Sequence, residues 1–97
     1  SRQKVSKSPI SEFLFHLRRD HAIRRCAERF NVRLDHNEYA YLNRRIRNRK
    51  AKRIQTLRDR RAAYQIQYKG KELIVVYSHH QHQIITFLTR EQIQTAN

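Results

Sequence analysis

The stretch Ala62-Ala63-Tyr64-Gln65-Ile66-Gln67-Tyr68-Lys69-Gly70-Lys71-Glu72-Leu73-Ile74-Val75-Val76-Tyr77 decides the fold. Ala62, Tyr64, Ile66 and Tyr68 alternate with Ala63, Gln65, Gln67 and Lys69. Successive side chains on a strand point to opposite faces, so this period of two predicts a half-buried strand. Lys69-Gly70 then reads as a tight turn. Leu73 to Tyr77 is continuously apolar, which predicts a central strand covered on both sides. Downstream, His79-His80-Gln81-His82 reads as a polar hairpin loop, and Ile84 to Thr89 returns as another strand. Residues 52–58 alternate weakly, as an outer strand would, and Thr89 with Gln92 can cap a short terminal helix.

Upstream the period becomes helical. Ser8-Pro9 is an N-cap followed by the one helical position where proline costs nothing. Ile10, Phe13, Leu14 and Leu17 make one apolar stripe, and Ile23, Cys26, Ala27 and Phe30 make a second with the same spacing. Six residues separate Leu17 from Ile23, which rotates the face by roughly 240°. Two short helices are therefore expected, about 9–18 and 20–30, with a break near Asp20. A further helix starts at Asp35, which forms a capping box with Glu38, while Leu34 and Tyr39 stand where a hydrophobic staple needs them.

The expected class is α+β: two or three N-terminal helices packed on one face of a three- to four-stranded antiparallel meander sheet, with a short C-terminal helix. Ninety-seven residues, 38% of them hydrophobic, make one domain spanning 1–97, with residues 1–7 as a flexible basic tail. The single cysteine, Cys26, allows no internal disulfide and reads as a buried, inert thiol. No apolar run reaches membrane length and no secretory signal is visible, so no membrane association and a cytoplasmic location are expected.

Charge carries the functional signal. The chain has 22 Lys+Arg against 8 Asp+Glu, a net charge of +14, and almost all of the excess lies before residue 62. Within residues 44–61 stand Arg44, Arg45, Arg47, Arg49, Lys50, Lys52, Arg53, Arg58, Arg60 and Arg61, against one acid, Asp59. Such a segment is either a solvated helix end running into a polar strand or a phosphate-binding surface; ten like charges favour the second. Arginine dominates, which suits bidentate phosphate contacts. No zinc-finger spacing, basic zipper, RNP strand, glycine-rich phosphate loop or carboxylate cluster accompanies it.

Two further groups invite a catalytic reading. Arg18, His21, Arg25 and Arg29 fall three or four apart on one helical ridge. They are either solvent-facing residues of an amphipathic helix, or a proton-transfer group, His21, among guanidiniums that hold a phosphodiester. His79, His80 and His82 are either a polar turn or a rim carrying a proton donor or acceptor, His82 among them. No carboxylate or cysteine lies near them in sequence to complete a metal site, and no metal or other cofactor is expected. Tyr77 and Thr86 sit on the two strands that this loop joins.

His21-Ala22-Ile23-Arg24-Arg25-Cys26-Ala27-Glu28-Arg29-Phe30 resembles an H-A-x-x-R-x-x-x-R helix that opens a group of small toxin-like domains. Leu73 to Tyr77 with Ile84 to Leu88 is similar to their closing hairpin. These domains belong to the barnase–EndoU–colicin–RelE-like ribonuclease superfamily. The resemblance spans about residues 20–89, and the chain departs from it in lacking a glycine after Phe30 and in the basicity of the segment before Tyr64. It implies metal-independent RNA cleavage by attack of the ribose 2′-hydroxyl. His21 would be general base or acid, Arg25 the phosphate clamp, and Thr86 an orienting group; Tyr77 is another distinctive match.

The expected function is accordingly RNA binding with metal-independent endoribonuclease activity, of toxin or phage host-takeover type. The partners would be tRNA, mRNA or ribosomal RNA, and an acidic antitoxin, immunity or host protein. The alternative is a non-catalytic small basic protein that binds nucleic acid or inhibits a host protein.

Overall fold

The computed structural model describes residues 9–95; the expected basic tail at 1–7 and the Ser8 cap lie outside them. In chain order the elements are α1 (Pro9–Phe30), α2 (His36–Arg47), β1 (Lys52–Leu57), β2 (Arg61–Tyr68), β3 (Lys71–Ser78), β4 (Gln83–Phe87) and α3 (Arg90–Thr95). The four strands form one antiparallel meander in the order β1-β2-β3-β4. The α+β class expected from the pattern is what the chain adopts.

The expected break near Asp20 is absent: α1 is one helix of 22 residues. No glycine or proline falls between Ile10 and Phe30, so nothing interrupts the backbone hydrogen bonds. The two stripes are both real but point in different directions. Ala22 and Cys26 are fully buried, with Ile23 and Phe30 packed at the margin of the same core. Ile10, Phe13, Leu14 and Leu17 remain 70%, 60%, 37% and 48% exposed, so the first stripe is not part of the buried core. Asn31 ends α1 in the left-handed region (φ 57°) and donates its N–H to Ala27 O at 3.1 Å. Asparagine tolerates that conformation, which explains how the turn manages without glycine. Burial pushes the Cys26 thiol up to about 12, as an inert core residue requires.

α2 begins as its sequence dictates. Asp35 accepts from the Glu38 N–H at 2.7 Å, and Glu38 accepts from the Asp35 N–H at 2.9 Å. Leu34 and Tyr39 are both buried beside it. Glu38 also accepts from the Tyr68 hydroxyl and pairs with Lys69, tying the start of α2 to the β2–β3 turn. Lys69 foremost, then the Asp35 N–H and Tyr68, pull its carboxyl down to about 2. Lys69 and Gly70 both have positive φ, the type I′ geometry of a two-residue hairpin.

β3 is covered on both sides. Leu73, Val75 and Tyr77 face α1 and α2. Val76 faces the other way, with Ala63 and Ile93 of α3, capped by the reciprocal Thr89–Gln92 bonds. The terminal helix thus closes the second sheet face, while the two long helices share the first.

A buried polar network, invisible in the hydrophobic pattern, locks the helices to β4. A bulge at Ile85 shifts the β3–β4 register, and on the outer edge of β4 the Ile84 N–H donates to Asn43 Oδ1 at 2.8 Å. The Tyr39 hydroxyl donates to Ile84 O at 2.6 Å and accepts from Gln83 Nε2 at 2.9 Å. Asn43→Ala strands the buried Ile84 N–H. It is expected to lower unfolding free energy by about 2–3 kcal/mol in a denaturant titration, the cost of an unpaired buried donor plus a lost contact.

Candidate nucleic-acid interface

The C-terminal turn of α2 and the adjoining ends of β1, β2 and β3 enclose a cleft of about 440 Å³. Arg47, Arg49 and Arg53 form its cationic wall, and Tyr64, Tyr77, His79 and His82 form its aromatic wall. Strand register explains the gathering. Arg53 pairs with Tyr64, and Tyr77 pairs with Ala62, on the sheet face that carries the helices. The small Ala62 leaves room beside Tyr77 for neighbouring rings. His79 follows Tyr77 by two residues and stays on its face; its N–H donates to Arg60 O at 2.9 Å, prolonging the β2–β3 pairing. A bulge at Ile54 directly follows Arg53.

Arg53 Nη2 donates to the Tyr64 hydroxyl at 3.2 Å, and that hydroxyl stands 3.1 Å from His79 Nε2. In the tautomer that carries its proton on Nδ1, His79 Nε2 accepts from the Tyr64 hydroxyl, and Arg53 Nη2 stands 3.4 Å from the same nitrogen. Burial foremost, then the Arg53, Arg60 and His82 charges, hold the His79 pKa below the ordinary 6.5. Tyr77 packs edge-on against His79, with centroids 5.1 Å apart. Its hydroxyl is buried and has no partner among the described residues. A buried hydroxyl without a partner, on the wall of a cationic cleft, is suited to a ligand oxygen.

The cations of residues 44–61 are largely uncompensated. The five ion pairs among the described residues, Arg19–Asp20, Arg25–Glu28, His36–Asp20, Lys69–Glu38 and Arg90–Glu72, all lie outside that segment. Arg45 is committed to the fold, donating to Gln67 O at 2.9 Å and Lys50 O at 3.2 Å, and Arg53 is committed to the cleft. Arg47 and Arg49 reach the cleft, Arg44 and Lys50 line a recess on the other side of the same turn, and Lys52 is exposed on β1. Arg58 and Arg61 lie near Thr86, and Arg60 stands near enough to act on His79.

Arg49 has φ 59° at the position that follows the α2 C-cap. Its N–H donates to Ile46 O and the Lys50 N–H to Arg45 O, the bonds of a Schellman turn. Glycine is the usual occupant, and a side-chain-bearing residue there is strained by roughly 1–2 kcal/mol. Arg49→Gly is expected to raise stability by about 0.5–1 kcal/mol, net of the extra freedom glycine has when unfolded. It should weaken RNA affinity several-fold, so melting and binding measurements should move in opposite directions.

The other candidate residues do not converge on this cleft. α1 packs along β4, and none of its residues lines the cleft. His21 is exposed on α1, and its pKa is lowered by burial of part of its ring, then by Arg25, Arg24 and Arg29. Arg25 pairs with Glu28 at 2.8 Å, and Arg29 donates to Phe87 O at 2.6 Å, which makes it a helix-to-sheet tether. Arg18 lines a separate recess with Phe15, His16 and Gln83. Thr86 pairs with Val76 and faces α3, on the opposite side of the sheet from Tyr77. Although Tyr77 and Thr86 sit on the two strands that the histidine loop joins, the bulge at Ile85 sets Tyr77 opposite Ile84 and turns Thr86 to the other face.

Tyr64 and His79 were not among the residues singled out as catalytic from sequence. One signal for His79 existed: the strand period of Tyr77 extends two residues further. A recess of about 640 Å³ between α1 and α2 contains Asp20 and Asp35 and is a poor host for a polyanion. No three His, Cys, Asp or Glu side chains among the described residues gather as a metal site, and no described helix is long and apolar enough to cross a membrane. No family model, curated protein or solved structure matches this chain, so what the cleft does is argued from its own chemistry.

Proposed function

We propose that the protein binds RNA along residues 44–61 and cleaves it in the cleft beneath them. The supporting observation is that uncompensated arginines line a cleft whose other wall carries a neutral-leaning imidazole already hydrogen-bonded to a tyrosine. A phosphodiester held by Arg47, Arg49 and Arg53 sits among fixed positive charges, which stabilise the dianionic, five-coordinate transition state more than the monoanionic ground state. The ribose 2′-oxygen attacks phosphorus. Its proton passes to the Tyr64 oxygen as the Tyr64 proton passes to His79 Nε2. The bond from phosphorus to the 5′-oxygen breaks, and His82, on the rim of the cleft, is the group placed to supply the proton that this oxygen needs. The products are a 2′,3′-cyclic phosphate and a 5′-hydroxyl, and the reaction draws its acid, base and charge from side chains alone.

The test is incubation with single-stranded RNA in excess chelator, followed by chemical mapping of the ends. Cyclic phosphate and 5′-hydroxyl ends support the proposal; intact RNA, or cleavage only with added divalent metal, overturns the catalytic part. A second reading, non-catalytic adhesion to nucleic acid, is favoured by one observation: the unpaired cations extend well beyond the cleft, onto β1 and the β1–β2 turn. It expects tight binding with no cleavage. An acidic protein partner that neutralises the same cations fits either reading.

A further inference from the structure

The turn that ends α2 has two functional sides. Arg47 and Arg49 line the cleft, whereas the alternate residues Asn48 and Lys50 line a recess of about 580 Å³ with Tyr41, Arg44 and Arg45. Tyr41 is 42% exposed, unusual for a large ring on a helix whose other large apolar residues are buried. It is held firmly. The Arg45 guanidinium, pinned by its two backbone carbonyls, stands 5.9 Å from the Tyr41 centroid. The Tyr68 ring lies 5.9 Å away at a 38° tilt, itself fixed through its hydroxyl on Glu38. Around this anchored ring, the side chains of Arg44, Asn48 and Lys50 have no hydrogen-bond or ion-pair partner among the described residues.

From this arrangement we infer that the recess is a nucleobase subsite that receives an unstacked base of a single-stranded RNA whose backbone continues from the cleft. An exposed, rigid aromatic ring offers a stacking surface at little entropic cost. The Asn48 amide has both donors and an acceptor for a base edge. Arg44 and Lys50 take the flanking phosphates. Bases in a duplex are already stacked and cannot reach such a ring, so the recess selects single strands. The inference rests on the proposed RNA binding at the cleft. It adds a second contact point on the other side of that turn, and with it the strand class that is bound.

The probe is a 2′-fluoro single-stranded oligonucleotide of about ten nucleotides, which cannot undergo 2′-hydroxyl attack. Tyr41→Leu keeps an apolar side chain against Tyr68 but removes the stacking face, and Tyr41→Phe keeps the ring. Stacking a base on an aromatic ring is worth roughly 5- to 150-fold in affinity. Tyr41→Leu is expected to lose that much, with an unchanged salt dependence and an unchanged melting temperature, while Tyr41→Phe binds like the parent. A duplex of equal length should be indifferent to both changes. The inference is overturned if Tyr41→Leu binds normally while Arg47→Gln and Lys52→Gln weaken binding, a result that leaves the RNA reading standing. If none of these variants alters binding, the RNA reading itself falls and the subsite with it.

Discussion

His79→Ala is expected to reduce RNA cleavage by about 10²- to 10⁴-fold while leaving RNA affinity within a few-fold of the parent. That range is what a positioned proton-transfer group contributes. The fold should survive, because His79 is only partly buried and its hydrogen bonds are made to the Tyr64–Arg53 pair, which remain bonded to each other. His21→Ala, at an exposed position of α1 that does not line the cleft, is expected to leave cleavage unchanged. The two variants separate the cleft from the α1 ridge directly. The pH profile provides a finer check. Partial burial and the surrounding cations favour neutral His79, so the base form persists below pH 6.5 and the acid limb of kcat/KM should lie below that value. Arg60→Gln removes one of those cations. It should raise the His79 pKa and move the acid limb upward; a shift downward contradicts the assignment.

Replacing Arg47, Arg49, Lys52 and Arg58 together by glutamine is expected to weaken single-stranded RNA binding by about 10²- to 10³-fold near 0.1 M salt. Each lost phosphate contact should flatten the slope of log affinity against log salt by about 0.7, close to 3 in all. Stability should not fall with it. None of the four side chains has an ion-pair partner among the described residues, and removing like charges relieves self-repulsion. Arg45→Gln should behave in the opposite way, because Arg45 satisfies the Gln67 and Lys50 carbonyls. It should cost stability, with a smaller effect on the salt slope. Titrations at several salt concentrations, beside thermal melts, distinguish a binding arginine from a structural one within the same run of sequence.

The parts of the fold that sequence revealed are those governed by neighbours. The Asp35–Glu38 box, the Lys69-Gly70 turn and the strand periods each depend on residues within a few positions of one another. Periodicity, however, records only that a stripe is apolar, not that anything covers it. Hence Ile10, Phe13, Leu14 and Leu17 suggested a separate packed helix when they are the incompletely covered first turns of a longer one. Polar residues are read as exposed by the same logic, so Asn43 and Gln83, both buried, went unnoticed as the clamp on β4.

The site was legible in composition and illegible in geometry. The density of arginine marked a strongly cationic surface, and the histidine loop was read as a polar turn or a rim. What joins Arg53, Tyr64, Tyr77 and His79 is strand register together with the Ile54 bulge, and register depends on pairings that no local window contains. The ridge of Arg18, His21, Arg25 and Arg29 is a true helical alignment. Two of its arginines are nevertheless engaged, Arg25 with Glu28 and Arg29 with the Phe87 carbonyl, which the spacing alone did not reveal.

The most direct measurement is an NMR titration of the imidazole and guanidinium signals with a 2′-fluoro single-stranded RNA, which reports contact without requiring turnover. The expected result is saturable shifts of His79, His82 and Arg53, with His21 unmoved. Shifts confined to His21 and its neighbouring arginines, or no specific shift at all, would contradict the claim that the cleft grips the phosphodiester.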